Sequence, residues 1–331
     1  MIPVLYIVGN ERSGSTLLER LLARHSDVVA IGEQRGVLSE IRQNLLCSCG
    51  TPLQLCEFWH GVQRRAENAN GSRSDRDRLM RRLQDIDRIR RMPAMSSRFF
   101  RSAKFSSVLD DLRSDLAIWY TAIHEQSGGR IIVDSSKSPM YGALLGGIPA
   151  LKIAYLHLER DSRAVAFSLN ARAKRLPEYM ERLQLMDTFN PAFIAKNWSK
   201  TYACSMLVRH AHPRNTLEMS YERLAHDPDA VIGAIRLFIE ELDFPDLGIA
   251  ENDAALSRYH SVGGNPIRFD RSIPIVRPDY EWSWSMRWRD RAVVTILTIP
   301  FLLRHHWLIR QGTSKLVDYP QVFTNNANPE N

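Results

Sequence analysis

The residues best suited to chemistry stand near the amino terminus, in Gly9-Asn10-Glu11-Arg12-Ser13-Gly14-Ser15-Thr16. Two glycines with four residues between them and a closing hydroxyl residue follow the outline of a phosphate loop, whose backbone N–H groups wrap an anion. Gly9 and Gly14 let the backbone approach closely. A helix starting at Gly14–Thr16 aims partial positive charge at the same anion. Ser13, Ser15 and Thr16 add hydroxyl donors, and Arg12 adds a full charge on a planar fork suited to oxyanions. Ser15 stands where NTP-hydrolysing enzymes place a lysine. The loop predicts an anion site that omits that lysine, and by itself it does not say which anion.

Other residues offer chemistry of other kinds. Cys47, Cys49 and Cys56 fall within ten residues, with His60 four further on. A Cys₃His set suits zinc, although C-x-C-x₆-C-x₃-H matches no established zinc module; a disulfide pair or plain buried thiols are the other readings. The run Ile131-Ile132-Val133-Asp134 resembles a Walker B strand, in which Asp134 would hold Mg²⁺, and so supports an ATP-dependent small-molecule kinase as an alternative. Between Arg73 and Arg101 there are ten arginines and four aspartates. Leu79, Leu83 and Ile86 are spaced there as a helical stripe, which predicts an amphipathic basic helix. Such a helix is either a solvated cap on the core or a contact to an acidic substrate or lipid headgroup. A non-catalytic binder of anionic lipid or nucleic acid is the reading that rests on these arginines alone.

The elements that must position these residues follow from the apolar pattern. Short apolar runs at Val4–Val8, Val28–Ile31, Arg130–Asp134, Lys152–Leu158 and Thr216–Ser220 read as strands. Between them lie helical patterns, with Leu17, Leu18, Leu21 and Leu22 as a stripe directly after the first loop, then Val108–Ile123, Ala192–His210, 228–240 and 290–308. This alternation predicts an α/β fold, three layers with a central parallel sheet. We expect one domain over 1–317, a basic helical insert at about 66–105, and a disordered tail over 318–331. No apolar run approaches the ~18 residues of a membrane span. Four cysteines in 331 residues point away from a disulfide scaffold, so a reducing, cytoplasmic setting is expected. The formal net charge of +7 fits an anionic ligand.

Arg12-Ser13-Gly14-Ser15-Thr16-Leu17-Leu18 after a first strand resembles the 5′-phosphosulfate loop of sulfotransferases that use 3′-phosphoadenosine 5′-phosphosulfate (PAPS). The segment "LKIAYLHLERDSRAVAFSLNARAK" is similar to that family's second nucleotide element. There Arg160 and Ser168 match the 3′-phosphate pair, and Arg172, one helix turn after Ser168, matches a third contact of protein-tyrosine sulfotransferases. "VVAIGEQRG" resembles the stretch holding the catalytic base of tyrosylprotein and some carbohydrate sulfotransferases, which maps onto Glu33. Lys137 in "VDSSKSP" matches a lysine that stabilises the bridging oxygen. Tyr221 in "SYERL" matches a nucleotide-contacting tyrosine, and Gly263, Gly264 and Arg268 in "VGGNPIRF" resemble a glycine-rich nucleotide loop. The resemblance implies a nucleotide-kinase-like fold and PAPS as donor with no metal required, which would explain the missing lysine. It also implies a hydroxyl-bearing acceptor (carbohydrate, lipid-linked or natural-product). No nucleic-acid partner is expected, and the basic segment at about 66–105 is the expected place for a peripheral contact to acidic lipid. Glu33, Arg12 and Lys137 would be the catalytic residues. Ser13, Gly14, Ser15, Thr16, Arg160, Ser168, Arg172, Tyr221, Gly264 and Arg268 would join Arg12 in holding the nucleotide.

Overall fold

The computed structural model describes residues 1–70, 76–86, 91–96, 98–170, 188–250, 259–270, 272, 276 and 278–315. Arg172 and the expected tail over 318–331 lie outside the described residues. Five strands, β1 (Ile2–Gly9), β2 (Val28–Gly32), β3 (Ile131–Lys137), β4 (Leu151–Glu159) and β5 (Thr216–Ser220), form one sheet in the order β2-β3-β1-β4-β5. Every pairing in it is parallel. Helix α1 (Ser15–Leu22) leaves β1. Between β2 and β3 run α2 (Val37–Arg42), α3 (Glu57–Asn70), α4 (Arg76–Ile86), α5 (Met92–Ser96) and α6 (Ala103–Gln126). Helix α7 (Pro139–Leu145) joins β3 to β4, and α8 (Ser162–Asn170) and α9 (Pro191–Ala211) precede β5. The chain closes with α10 (Tyr221–His226), α11 (Pro228–Glu241), α12 (Trp282–Ser285) and α13 (Trp288–Lys315).

The apolar runs become strands because both faces of the sheet are covered. Val4, Tyr6 and Val8 of β1 join the core built with α3, α6 and α7, whereas Leu5 and Ile7 face the core built with α1 and α11. The period of two thus splits one strand between two cores. The three-layer α/β architecture predicted from the sequence is the one observed. β3 departs from its predicted extent: it continues through Ser135, Ser136 and Lys137. Polarity hides this extension from an apolar-run reading, yet it carries Lys137 to the carboxyl edge of the sheet.

The strand order sets where that edge matters. The chain builds β2 and β3 on one side of β1, then crosses to place β4 and β5 on the other. The crevice at the carboxyl ends of β1 and β4 is therefore the topological switch point, where open α/β sheets bind ligands. Within the basic insert, Leu79, Leu83 and Ile86 of α4 are buried as the stripe predicts, and α4 packs on α6. Several arginines there are used internally: Arg82 pairs with Asp111 at 3.0 Å, Arg91 with Asp85 at 2.8 Å, and Arg101 donates to the Ala94 and Met95 carbonyls at 2.6 and 2.8 Å. Among the described residues no helix is long and apolar enough to cross a membrane.

Candidate active site

The loop after β1 turns back over the sheet edge and opens directly into α1. Arg12 adopts φ 61°, and Gly14, the N-cap of α1, adopts φ 92°. A Cβ on Gly14 would stand 2.5 Å from Tyr221 Cδ2, so this position needs glycine for both its conformation and its neighbour. No side chain caps α1, which leaves its first N–H groups to an external acceptor. Ser13 Oγ is fully buried and has no hydrogen-bond partner among the described residues. A buried hydroxyl in that state is costly unless something bonds it, and an anion seated at the helix start would.

Arg160 follows β4 immediately and meets the same loop. Its Nη1 donates to the Arg12 carbonyl at 3.0 Å. Its guanidinium lies over the Tyr221 ring at 4.1 Å, and its Nη2 pairs with Asp279 at 2.8 Å. Arg12 Nε reaches across to Ser168 Oγ on α8 at 2.9 Å. Burial, together with the positive charge of Arg160, lowers the pKa of Arg12 below its ordinary value. Two guanidiniums held this close repel each other, and a multivalent anion between them would relieve that repulsion. Arg12, Arg160, Ser168 and Tyr221, predicted from separate stretches of sequence, thus share one locality.

Glu33 follows β2 and Lys137 ends β3, neighbouring strands whose carboxyl ends bring the two side chains together. Lys137 Nζ donates to Glu33 Oε1, and it also bonds the Ser135 carbonyl at 3.3 Å. Lys137 takes φ 65° to make this turn. The loop around Gly263 and Gly264 backs the pair: Glu33 N donates to the Val262 carbonyl at 2.7 Å, and Asn265 N donates to Thr16 Oγ1 at 3.3 Å. Gly264 adopts φ 80°, a conformation that strains a residue with a Cβ, and a Cβ there would stand 3.1 Å from Thr16 Oγ1 and 3.2 Å from Glu33 Oε1, close enough to press on both. Arg268 is buried in this loop, where its Nη1 bonds the Gly264 carbonyl at 3.3 Å and its guanidinium lies over Phe269.

A cavity of about 380 Å³ opens beside the pair, a size within the range of small-molecule sites. Glu33, Lys137 and Ser138 line it, together with an aromatic wall of Phe189, Phe193 and Trp198. Phe189 and Phe193 stack at 5.2 Å and remain partly exposed. The sequence pattern does not predict this aromatic wall. Its only signal is two aromatics around the Asn190-Pro191 start of α9, with Trp198 within the helix.

Asp134, the residue of the Walker B resemblance, is fully buried and occupied elsewhere. It accepts from Tyr120 Oη, and from Ser136 N and Oγ at 2.8 and 2.5 Å. Burial raises its pKa to about 6 against the effect of those bonds. Its carboxylate therefore faces Tyr120 and Ser136 instead of the cavity. The cysteine grouping needs a correction: His60 sits exposed on α3, and the histidine beside Cys47, Cys49 and Cys56 is His260. Cys56 precedes α3 and points into the core while His60 lies on the exposed face of that helix, and the distant 259–264 segment folds back onto the cysteines.

A profile described as the sulfotransferase family matches residues 3–246. Among solved structures, the sulfotransferase domain of the Synechococcus PCC 7002 olefin synthase is 20% identical, with a TM-score of 0.48 over 91% of this chain and 94% of that one. The sulfotransferase domain from the curacin biosynthetic pathway is 17% identical, with a TM-score of 0.45 over 90% and 98%. Sulfotransferase STF9 from Mycobacterium avium is 14% identical, with a TM-score of 0.38 over 72% and 64%. No curated protein matches the chain significantly.

Proposed function

The chain belongs to the sulfotransferase family, and on that premise we propose that it moves a sulfuryl group from PAPS to a hydroxyl of an acceptor held in the cavity beside Glu33. One observation carries the reading. Arg12 bonds Ser168 while Arg160 bonds the Arg12 backbone, so the two cationic elements lie near enough to hold one nucleotide charged at both ends. The residues present suit such a donor. The uncapped start of α1 and the orphaned Ser13 hydroxyl offer donors to the 5′ end. Arg160 and Ser168 would take the 3′-phosphate, with Tyr221 stacked beneath Arg160 to fix its plane.

PAPS supplies the sulfuryl group, and the protein supplies proton and charge management. Glu33 accepts the proton of the acceptor hydroxyl as its oxygen attacks sulfur. Lys137 releases Glu33 and turns its ammonium to the oxygen that leaves with the nucleotide. Arg12 and the N–H groups of the loop stabilise the equatorial oxygens. A sulfuryl group bears less charge than a γ-phosphate, which is the reason Ser15 can stand in place of a lysine. The wall of Phe189, Phe193 and Trp198 favours an acceptor whose hydroxyl sits on an apolar or aromatic frame.

Transfer of labelled sulfate from PAPS, run against carbohydrate, phenolic and aliphatic-alcohol acceptors, tests the proposal. A labelled product from an apolar hydroxyl compound is expected. Failure of every acceptor class, alongside phosphoryl transfer from ATP–Mg²⁺, would overturn it in favour of the kinase alternative.

A further inference from the structure

Behind the candidate base, four side chains from two distant parts of the chain converge on one point. Cys47 and Cys49 lie in the turn between α2 and α3, Cys56 immediately precedes α3, and His260 arrives from the carboxyl-terminal third. His260 Nδ1 stands 3.7 Å from Cys47 Sγ and 3.4 Å from Cys56 Sγ, and the Cys49 and Cys56 sulfurs are 3.8 Å apart. All four ligand atoms lie within 4.8 Å of one another. A disulfide would hold its sulfurs about 2.05 Å apart, so these cysteines are not oxidised to each other. Tetrahedral zinc with bonds of about 2.3 Å to sulfur and about 2.0 Å to nitrogen requires sulfurs about 3.8 Å apart and sulfur–nitrogen separations of about 3.5 Å. The Cys49–Cys56, Cys47–His260 and Cys56–His260 separations fall within a few tenths of an ångström of those values, and every other pair stays within 4.8 Å.

We propose that Cys47, Cys49, Cys56 and His260 bind one zinc ion. With four protein ligands the coordination sphere is closed, as in structural rather than catalytic sites. The surroundings hold the histidine as such a site needs. The His260 ring stacks on Phe58 at 4.8 Å, and its backbone carbonyl accepts from Trp59 Nε1 at 2.9 Å. Ser48, between two of the cysteines, bonds the Tyr259 carbonyl and Ser261 N, each at 2.8 Å.

The ion would staple the 259–269 segment to the turn after α2. Two residues beyond His260, Val262 bonds Glu33 N, and Gly263 N donates to Glu40 Oε2 at 3.0 Å. The zinc site is thus a positioning device for the loop that backs Glu33 and Thr16, and it takes no part in group transfer.

Metal analysis of the full-length protein, expressed with zinc and purified without chelator, tests the assignment. About one zinc per chain is expected, together with the visible bands of tetrahedral thiolate-bound cobalt after exchange into Co²⁺. His260→Ala should lose zinc to a competing chelator at least about tenfold more readily, whereas His60→Ala should match the wild type. Less than a tenth of an equivalent of zinc in wild-type protein, an octahedral cobalt spectrum, or a Cys49–Cys56 disulfide by mass spectrometry would overturn the assignment. So would equal zinc retention by His260→Ala and wild type. Metal content and the cobalt spectrum are read on wild-type protein, so they decide the matter even if a variant fails to fold.

Discussion

Glu33 and Lys137 meet as an ion pair across the ends of neighbouring strands, so each residue is both a candidate participant and the other's partner. Glu33→Gln removes the base but keeps a polar group of the same size beside Lys137. Steady-state kinetics should show turnover reduced at least ~10²-fold, with nucleotide affinity close to wild type; an unchanged rate would remove Glu33 from the reaction. Gly14 allows a sharper steric test. Gly14→Ala places a Cβ 2.5 Å from Tyr221 at φ 92°, a conformation costing about 1–3 kcal/mol for a residue with a Cβ. Titration calorimetry should show nucleotide binding at least about tenfold weaker. Gly233→Ala, whose added Cβ meets nothing within 4 Å, should bind as wild type does. At this scale the sequence was readable where short-range spacing carries the chemistry, as in Arg12 to Thr16. It was silent on Asp279 and His260, whose partners are remote in the chain. No spacing rule joins Arg160 to Asp279, because only the fold makes them neighbours.

Helix α13 shows what an element contributes beyond its own stripe. It brings His305, fully buried, within 3.5 Å of Glu159 and 3.3 Å of Glu222, the residues directly before Arg160 and directly after Tyr221. Burial alone would lower the His305 pKa, but the two carboxylates outweigh it and raise the value to about 10. A histidine raised in the folded state contributes stability that is complete below its ordinary 6.5 and is lost as pH rises through about 10. Urea midpoints should therefore fall between those limits, and His305→Gln should flatten that fall from a lower starting stability. A wild-type midpoint that rises across the same range would contradict the network. Asp279, on the segment before α12, occupies Arg160 from a half-exposed position. Asp279→Asn should tighten nucleotide binding by up to about fivefold, the equivalent of ~1 kcal/mol for a partly exposed pair; weaker binding would make Asp279 a support for Arg160 and not a competitor. All five strands were legible because a sheet covered on both faces demands continuous apolar runs. The polar end of β3 was not, and neither was the pairing of α13 with the end of β4, since a helical pattern names a buried face without naming what covers it.

Across the whole molecule, strand order turns separate motifs into one site. The chain crosses over β1 after β3, so the first loop and the end of β4 become neighbours although 148 residues separate Arg12 from Arg160. The parallel class of the sheet was readable from the alternation of elements. The order of strands was not, because apolar runs carry no address. The aromatic wall of the cavity was hidden for the same reason: Phe189 and Phe193 become a wall only when α9 packs beside α8. A net charge of +7 suits capture of an anionic nucleotide, and in the proposed function selectivity comes from Arg12 and Arg160. Calorimetric titration with 3′-phosphoadenosine 5′-phosphate tests that grip most directly. One nucleotide should bind per chain, and Arg12→Ala and Arg160→Ala should each weaken it at least about tenfold, while ATP–Mg²⁺ binds poorly to all three proteins. Wild-type affinity in both variants, or a preference for ATP–Mg²⁺, would contradict a donor held at both ends.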